Sequence, residues 1–251
     1  MTYPLSLKGK IALVTGASRG IGAAIAETVA AAGATLVLTA QDELALDTLA
    51  ARLHLDYGTE CLIHTGDVSD ADKVQELYKQ VFKRFGQLDI LIANAGILSD
   101  WLIGMIRAED IARTLDVNVA GVLHHIQAAS RLMRRKKSGS IILMSSIIGR
   151  FGNKGQMAYA ASKAAVLGAM MSAAKELGTE GIRVNAIAPG VIDTDMTKNL
   201  SETARRNLMQ NIALGHVGEP KDVADVALFL ASDLSRYVSG QVIGVDGGMV
   251  I

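Results

Sequence analysis

Short apolar runs alternate along the chain with longer stretches in which apolar residues recur every three to four positions. The short runs are Ile11–Thr15 (IALVT), Thr35–Thr39 (TLVLT), Cys61–Thr65 (CLIHT), Ile90–Ala93 (ILIA), Ser140–Met144 (SIILM), Ile182–Ala188 (IRVNAIA) and Gln241–Val245 (QVIGV). Their length and β-branched content predict strands. The helical period covers about Ile21–Ala32, Glu43–Leu55, Ala71–Phe85, Ile111–Lys136, Met157–Leu177, Glu202–Met209 and Lys221–Ser232. Most of the strands are apolar at consecutive positions, as in a parallel sheet buried on both faces. Strand and helix alternating at this spacing imply right-handed βαβ units. The expected fold is α/β: a Rossmann-type, doubly wound, seven-stranded parallel sheet with helices on both faces. No linker rich in Pro, Gly or Ser and no short repeat interrupts the pattern, so residues 1–251 read as a single domain.

Composition narrows the function classes. Half of the residues are hydrophobic and 20% are charged, enough apolar side chain for a sizeable core. Lys plus Arg balances Asp plus Glu at 25 each, so no electrostatic footprint points to nucleic acid or an anionic membrane. The start, MTYPLSLKGK, lacks the apolar core of a secretory signal. No apolar run approaches the roughly 18 residues of a membrane span. The single cysteine, Cys61, cannot form an internal disulfide. These features together predict a cytoplasmic protein.

The first strand runs into Thr15-Gly-Ala-Ser-Arg-Gly-Ile-Gly22, and a helix follows at once. Gly16, Gly20 and Gly22 form G-x-x-x-G-x-G. Glycines allow a tight turn and close backbone approach, and the helix N-terminus then offers free N–H groups and a positive dipole end to a pyrophosphate. The nucleotide is read at the end of strand two, where an acid holds the 2′-hydroxyl of NAD and a cation favours NADP. Strand two ends Thr39-Ala40-Gln41, with Ala40 at the acidic position. Asp42 suits the N-cap of the next helix. Arg19, in the glycine loop, is placed to bind a 2′-phosphate or to stand as a solvated charge, so NADP(H) is favoured over NAD(H). Asp67-Val68 follows strand three, where Asp67 either accepts from an adenine amino group or caps a helix. Asn94-Ala95-Gly96 closes strand four, and Pro189-Gly190 with Ile192 and Thr194 follows strand six, all at the carboxyl edge where ligands bind in such folds.

The candidate chemistry is Tyr159-Ala-Ala-Ser-Lys163. On a helix Tyr159 and Lys163 share one face. An ammonium beside a phenol favours the phenolate and lowers its pKa, which suits a group that gives and recovers a proton. Ser146, at the end of strand five, is placed to hold a reacting oxygen. A nicotinamide cofactor brings the hydride, so no metal is required. Of the adjacent pair Ser145 and Ser146, an extended backbone points the two side chains opposite ways. His124 and His125 are neighbours on one helix, which suits packing or an interface better than a metal site.

TGASRGIG, Asn94-Ala-Gly96, Ser146, Tyr159-x-x-x-Lys163 and Pro189-Gly190, in this order, resemble the short-chain dehydrogenase/reductase family over about Leu7 to Met249. The resemblance implies a fourth catalytic residue, Asn118 in Leu115-Asp-Val-Asn-Val-Ala120, supporting a proton-relay water. It also implies that the cofactor is held by Gly16, Ser18, Arg19, Gly20, Ile21, Gly22, Asp67, Val68, Asn94, Ala95, Gly96, Tyr159, Lys163, Pro189, Gly190, Ile192 and Thr194. Lys163 would reach the nicotinamide ribose, and Ile192 and Thr194 the nicotinamide amide. Within the family the chain is most similar to 3-oxoacyl-acyl carrier protein reductases, through Asn94–Asp100, Gly152–Gln156, Asp193–Met196 and Val245–Met249. That similarity implies NADPH-dependent reduction of a 3-oxoacyl thioester, a homotetramer, and a substrate lid over about 194–214.

A very acidic carrier protein would need a basic patch. Arg131, Arg134, Arg135, Lys136 and Lys137 supply one, or else they are the cationic end of a helix. Glu180 stands where such reductases often have a basic residue, which favours a coenzyme A thioester or another small carbonyl. Two other readings stay open: a dehydrogenase of an alcohol, sugar or steroid, and a non-catalytic cofactor-binding protein.

Overall fold

The computed structural model describes residues 5–194 and 209–249. The seven expected strands are present: β1 (Ile11–Thr15), β2 (Thr35–Ala40), β3 (Cys61–Thr65), β4 (Ile90–Ala93), β5 (Gly139–Met144), β6 (Ile182–Pro189) and β7 (Val242–Val245). They form one sheet in the order β3-β2-β1-β4-β5-β6-β7, and every pairing is parallel. Between them stand α1 (Gly20–Ala31), α2 (Glu43–Tyr57), α3 (Ala71–Phe85), α4 (Ala108–Leu115), α5 (Gly121–Arg134), α6 (Ile148–Phe151), α7 (Met157–Gly178) and α8 (Pro220–Ala231).

The sheet has a separate core on each face. Along β1, Ala12 and Val14 pack against α1, α2 and α8, while Ile11 and Leu13 pack against α3, α5 and α7. That explains the unbroken apolar runs, because each residue of a central strand meets a helix layer whichever way it points. Helix ends follow local chemistry. Asp42 caps α2 by accepting from the Ala45 N–H at 3.0 Å, as the sequence suggested. Asp70 caps α3 through the N–H groups of Asp72 and Lys73, and Gly58 and Gly86 end α2 and α3 in the left-handed conformation.

One expected helix is broken. The stretch read as 111–136 divides into α4, a π-helical turn over Asp116–Ala120, and α5. Gly121 closes the insertion and opens α5, and the wider turn sits where Asn118 is drawn into the site. The helix expected over 202–209 lies almost wholly outside the described residues, as does most of the expected lid over 194–214.

Strand order reverses at β1, which has β2 on one side and β4 on the other. The crevice between the carboxyl ends of β1 and β4 is therefore the place where this architecture accepts a ligand.

Candidate active site

Two side chains, Thr15 and Asn94, tie the walls of the crevice together. The Thr15 hydroxyl accepts from the N–H groups of Asn94 (3.0 Å) and Ala95 (2.9 Å), and the Asn94 amide donates back to the Thr15 and Gly16 carbonyls at 3.0 and 3.2 Å. The polar groups of Asn94 and Ala95 thus hold the loop after β1 against the loop after β4. Gly16 has φ +63, and a Cβ there would come within 2.9 Å of the Ala95 Cα, so glycine is required twice over. The first turn of α1 carries no acidic residue and Arg19 provides no side-chain cap, which leaves its N–H groups for an anion. Arg19 is exposed, and Thr194 lies over Gly20, whose added Cβ would be 3.5 Å from the Thr194 Cγ2. The chain therefore fits a dinucleotide pyrophosphate at Gly16–Gly22.

Asp67 is more occupied than expected. Its carboxylate accepts from the Ser69 N–H and hydroxyl on one oxygen, and from Gln41 (2.9 Å) and Arg113 (2.5 Å) on the other. Those bonds to Ser69 and the Arg113 guanidinium hold it below the ordinary carboxylate range although burial opposes them. The α3 cap is Asp70, so Asp67 is not a helix cap. A carboxylate with four donors has its acceptor positions filled. Contact with an adenine would require one donor to leave, and the charge-assisted Arg113 bond is the strongest of them.

Ser146, Tyr159 and Lys163 converge at the carboxyl end of β5. The Ser146 hydroxyl lies near enough to the Tyr159 phenol to act on its ionisation. The Lys163 ammonium sits 5.8 Å from the Tyr159 ring centre and donates to the Met144 carbonyl at 2.9 Å. Asn118 reaches the same group from the π turn. Its Oδ1 accepts from the Ile97 N–H (2.8 Å), and its Nδ2 donates to the Ile97 carbonyl (2.9 Å) and to Ser162 (3.0 Å). Ser162 in turn donates to the Tyr159 carbonyl at 2.7 Å. A Cβ on Gly96 would come 3.1 Å from the Lys163 Nζ and 3.2 Å from the Asn118 Oδ1, so Gly96 keeps the space in front of the lysine open.

These loops, their order and the Tyr159–Lys163 spacing match known proteins over nearly the full chain. The family model described as enoyl-(acyl carrier protein) reductase matches residues 16–250. The protein of Thermotoga maritima named 3-oxoacyl-[acyl-carrier-protein] reductase FabG is 43% identical over 247 residues, covering 98% of this chain and 100% of the relative. The protein of the same name from Escherichia coli is 39% identical, covering 98% and 99%. Among solved structures, a 7α-hydroxysteroid dehydrogenase complexed with NADH and 7-oxo glycochenodeoxycholic acid superposes with a TM-score of 0.95 at 32% identity, covering 98% of this chain and 96% of that one. The chain belongs to the short-chain dehydrogenase/reductase family. It is an oxidoreductase by that membership.

In this family member the electrostatics depart from the expectation in one respect. The phenol of Tyr159 is raised, not lowered: burial is the larger influence, Asp100 adds to it, and the Ser146 hydrogen bond only partly opposes it. The ammonium expected to lower it points at the Met144 carbonyl, and burial pushes Lys163 itself down to about 8. A protonated phenol near neutral pH is nevertheless the state that a proton donor needs.

The basic cluster is also different from a free patch. Arg134 is paired with Glu176 (3.0 Å) and Glu180 (2.8 Å). Lys136 bonds Gln87 and lies 3.7 Å from Asp89, and Arg135 stacks 4.7 Å over the Phe82 ring. Arg131 and Lys137 complete the group as exposed cations. The cluster stands where α5 leads into β5, at the amino edge of the sheet. At 1.5 Å per residue along α7, that is about 25 Å from Tyr159 of the same chain.

His125 packs as expected, with its Nδ1 3.1 Å from the buried Tyr78 hydroxyl. Sequence reasoning missed Arg113, Ser162 and the part played by Ser145. The signal for Ser162 was its place inside Tyr159–Lys163; Arg113 had none.

Proposed function

We propose that this protein reduces the 3-oxo group of an acyl thioester to a 3-hydroxy group, with NADPH as the hydride donor and Tyr159 as the acid. The observation that carries the reading is the convergence of Ser146, Tyr159 and Lys163 on one point beside a crevice whose helix N-terminus is open to an anion. The relatives named 3-oxoacyl-[acyl-carrier-protein] reductase supply the substrate class.

When bound, a reduced nicotinamide supplies the hydride that adds to the carbonyl carbon. The chain does the rest. The Ser146 hydroxyl and the Tyr159 phenol both donate to the carbonyl oxygen and fix it in place. As that oxygen gains negative charge, the Tyr159 O–H bond breaks and its proton completes the alcohol. The Lys163 ammonium, 5.8 Å from the Tyr159 ring centre, is the cation available to the phenolate left behind, and Asn118, braced by Ile97 and Ser162, holds the neighbouring backbone. Gly16–Gly22 hold the pyrophosphate, and Arg19 is the cation available for a 2′-phosphate. Asp67, Val68, Gly96, Pro189, Gly190, Ile192 and Thr194 line the remaining path of the cofactor. Two hydroxyls sharing one acceptor suit a ketone oxygen better than the carbon–carbon double bond in the family model's description.

The protein is further proposed to act as a homotetramer. Met157, Ala161, Ala164, Ala165, Gly168 and Met171 form an exposed, uncharged face of α7, which a second copy would cover. A carrier protein docked on Arg131 and Lys137 would then serve a site on a neighbouring subunit. The steroid dehydrogenase neighbour favours one second reading, reversible oxidation of a ring alcohol to the ketone.

The test is NADPH oxidation at 340 nm with acetoacetyl-CoA, beside NADH and a panel of sugars and steroid ketones. Tyr159→Phe should lose at least about 10³-fold in kcat, because it keeps the ring and removes the transferred proton. It should bind NADPH as the parent does. Full turnover in that variant would sink the mechanism, and turnover only with steroid ketones would replace the substrate.

A further inference from the structure

We infer that Ser145, the residue before the substrate-orienting serine, is a positioning residue that sets the distance between Ser146 and the Tyr159–Lys163 pair. The inference rests on the reading of Tyr159 and Lys163 as the reacting pair.

Three consecutive residues at the end of β5 each hold a different part of α7. The Met144 carbonyl accepts from the Lys163 Nζ at 2.9 Å. The Ser145 hydroxyl donates to the Lys163 backbone carbonyl at 2.8 Å. Ser146 faces the Tyr159 phenol closely enough to lower its pKa against the effect of burial. Ser145 is buried at 3% exposure, and its own N–H donates to the Ile187 carbonyl of β6 at 2.8 Å. One residue thus ties the sheet to the helix that carries the chemistry: the N–H to β6, the hydroxyl to α7. The Lys163 peptide is gripped from a second side as well. A Cβ on Gly149 of α6 would lie 2.7 Å from the Lys163 carbonyl carbon, so α6 is pressed directly against it.

The Lys163 carbonyl lies inside α7, where the helix supplies an N–H from Leu167. Ser145 therefore adds a second donor to an acceptor that already has one, and removing its hydroxyl leaves no buried acceptor without a partner. A side chain whose only polar bond goes to a satisfied carbonyl, at the very residue whose ammonium serves the site, acts through geometry. Two hydroxyls that must reach one oxygen tolerate about half an ångström of error. With the tie gone, α7 can slide against β5 and Lys163 gains access to water. Among the described residues, Asp100 is the charged group that acts on Tyr159, and burial alone acts on Lys163.

The experiment compares Ser145→Ala, Ser145→Thr and Tyr159→Phe in the full chain, with NADPH and acetoacetyl-CoA as probes. Ser145→Ala is expected to lose about 10- to 100-fold in kcat, the scale of a sub-ångström to ångström misplacement, with the KM values and the NADPH Kd within about threefold. The alkaline limb of its kcat profile is expected to move up by at least about half a pH unit as Lys163 becomes better hydrated. Ser145→Thr, which keeps the hydroxyl, should recover most of the rate and the parental limb. Parental kcat and pH profile in Ser145→Ala, beside an inactive Tyr159→Phe, would overturn this inference alone. A loss in Ser145→Ala confined to KM or to thermal stability, with the pH limb unmoved, would also overturn it. Turnover in Tyr159→Phe would instead overturn the reading on which it rests.

Discussion

Acidification should destabilise this protein through His125 before most of its carboxylates titrate. The imidazole is buried in α5 and faces Tyr78 of α3, whose hydroxyl is 3.1 Å from its Nδ1 and whose ring centre is 5.6 Å away. Burial pushes His125 down to about 3, and the nearby His124 and His64 push in the same direction. In the unfolded chain it protonates near 6.5. The folded state refuses the proton that the unfolded state accepts, so the stability tied to neutral His125 is complete above about 6.5 and is lost as pH falls toward 3. Each pH unit below 6.5 costs about 1.4 kcal/mol, which makes the loss between pH 7.5 and 5.0 about 2 kcal/mol. His125→Phe removes the titration and keeps an acceptor for the Tyr78 hydroxyl, which also donates to the backbone carbonyl of residue 125 at 3.2 Å. Urea unfolding of both proteins at pH 7.5 and 5.0, at one protein concentration, isolates the term. With an m-value of about 2–3 kcal/mol/M, the parent midpoint should fall by roughly 0.7–1 M more than that of the variant. Equal falls in the two proteins would refute the assignment.

Arg19→Ala should raise the Kd for NADPH by about 10- to 100-fold and leave the Kd for NADH within about twofold, because only a 2′-phosphate uses the guanidinium; nicotinamide fluorescence reads both, and equal weakening would remove Arg19 from cofactor choice. The Lys163 ammonium is cationic below about 8 and neutral above it. The kcat/KM for carbonyl reduction should therefore be flat on the acid side of that value and fall as pH rises through it; a profile level to pH 10 would show that the cation is not needed.

The sequence by itself determined which segments become strands and helices and in what order the loops follow one another. These are local matters: an unbroken apolar run such as Ile11–Thr15, a cap such as Asp42, a stop such as Gly58 act over a few residues, and each is written where it acts. It also brought Gly16–Gly22, Ser146, Tyr159 and Lys163 to the carboxyl edge of the sheet, because a parallel strand delivers its following loop to that edge. The break between α4 and α5 was not legible, since one extra residue in a helical turn barely shifts the apolar period. Only the tertiary structure decided which cation meets which carboxylate, and it placed Arg134 on Glu176 and Glu180 and Arg113 on Asp67. It alone turned the Ser145 hydroxyl onto the Lys163 carbonyl and raised the Tyr159 phenol instead of lowering it. Hydrogen-bond partners and desolvation depend on atoms brought within a few ångströms from distant parts of the chain, and no local pattern of residues encodes that distance.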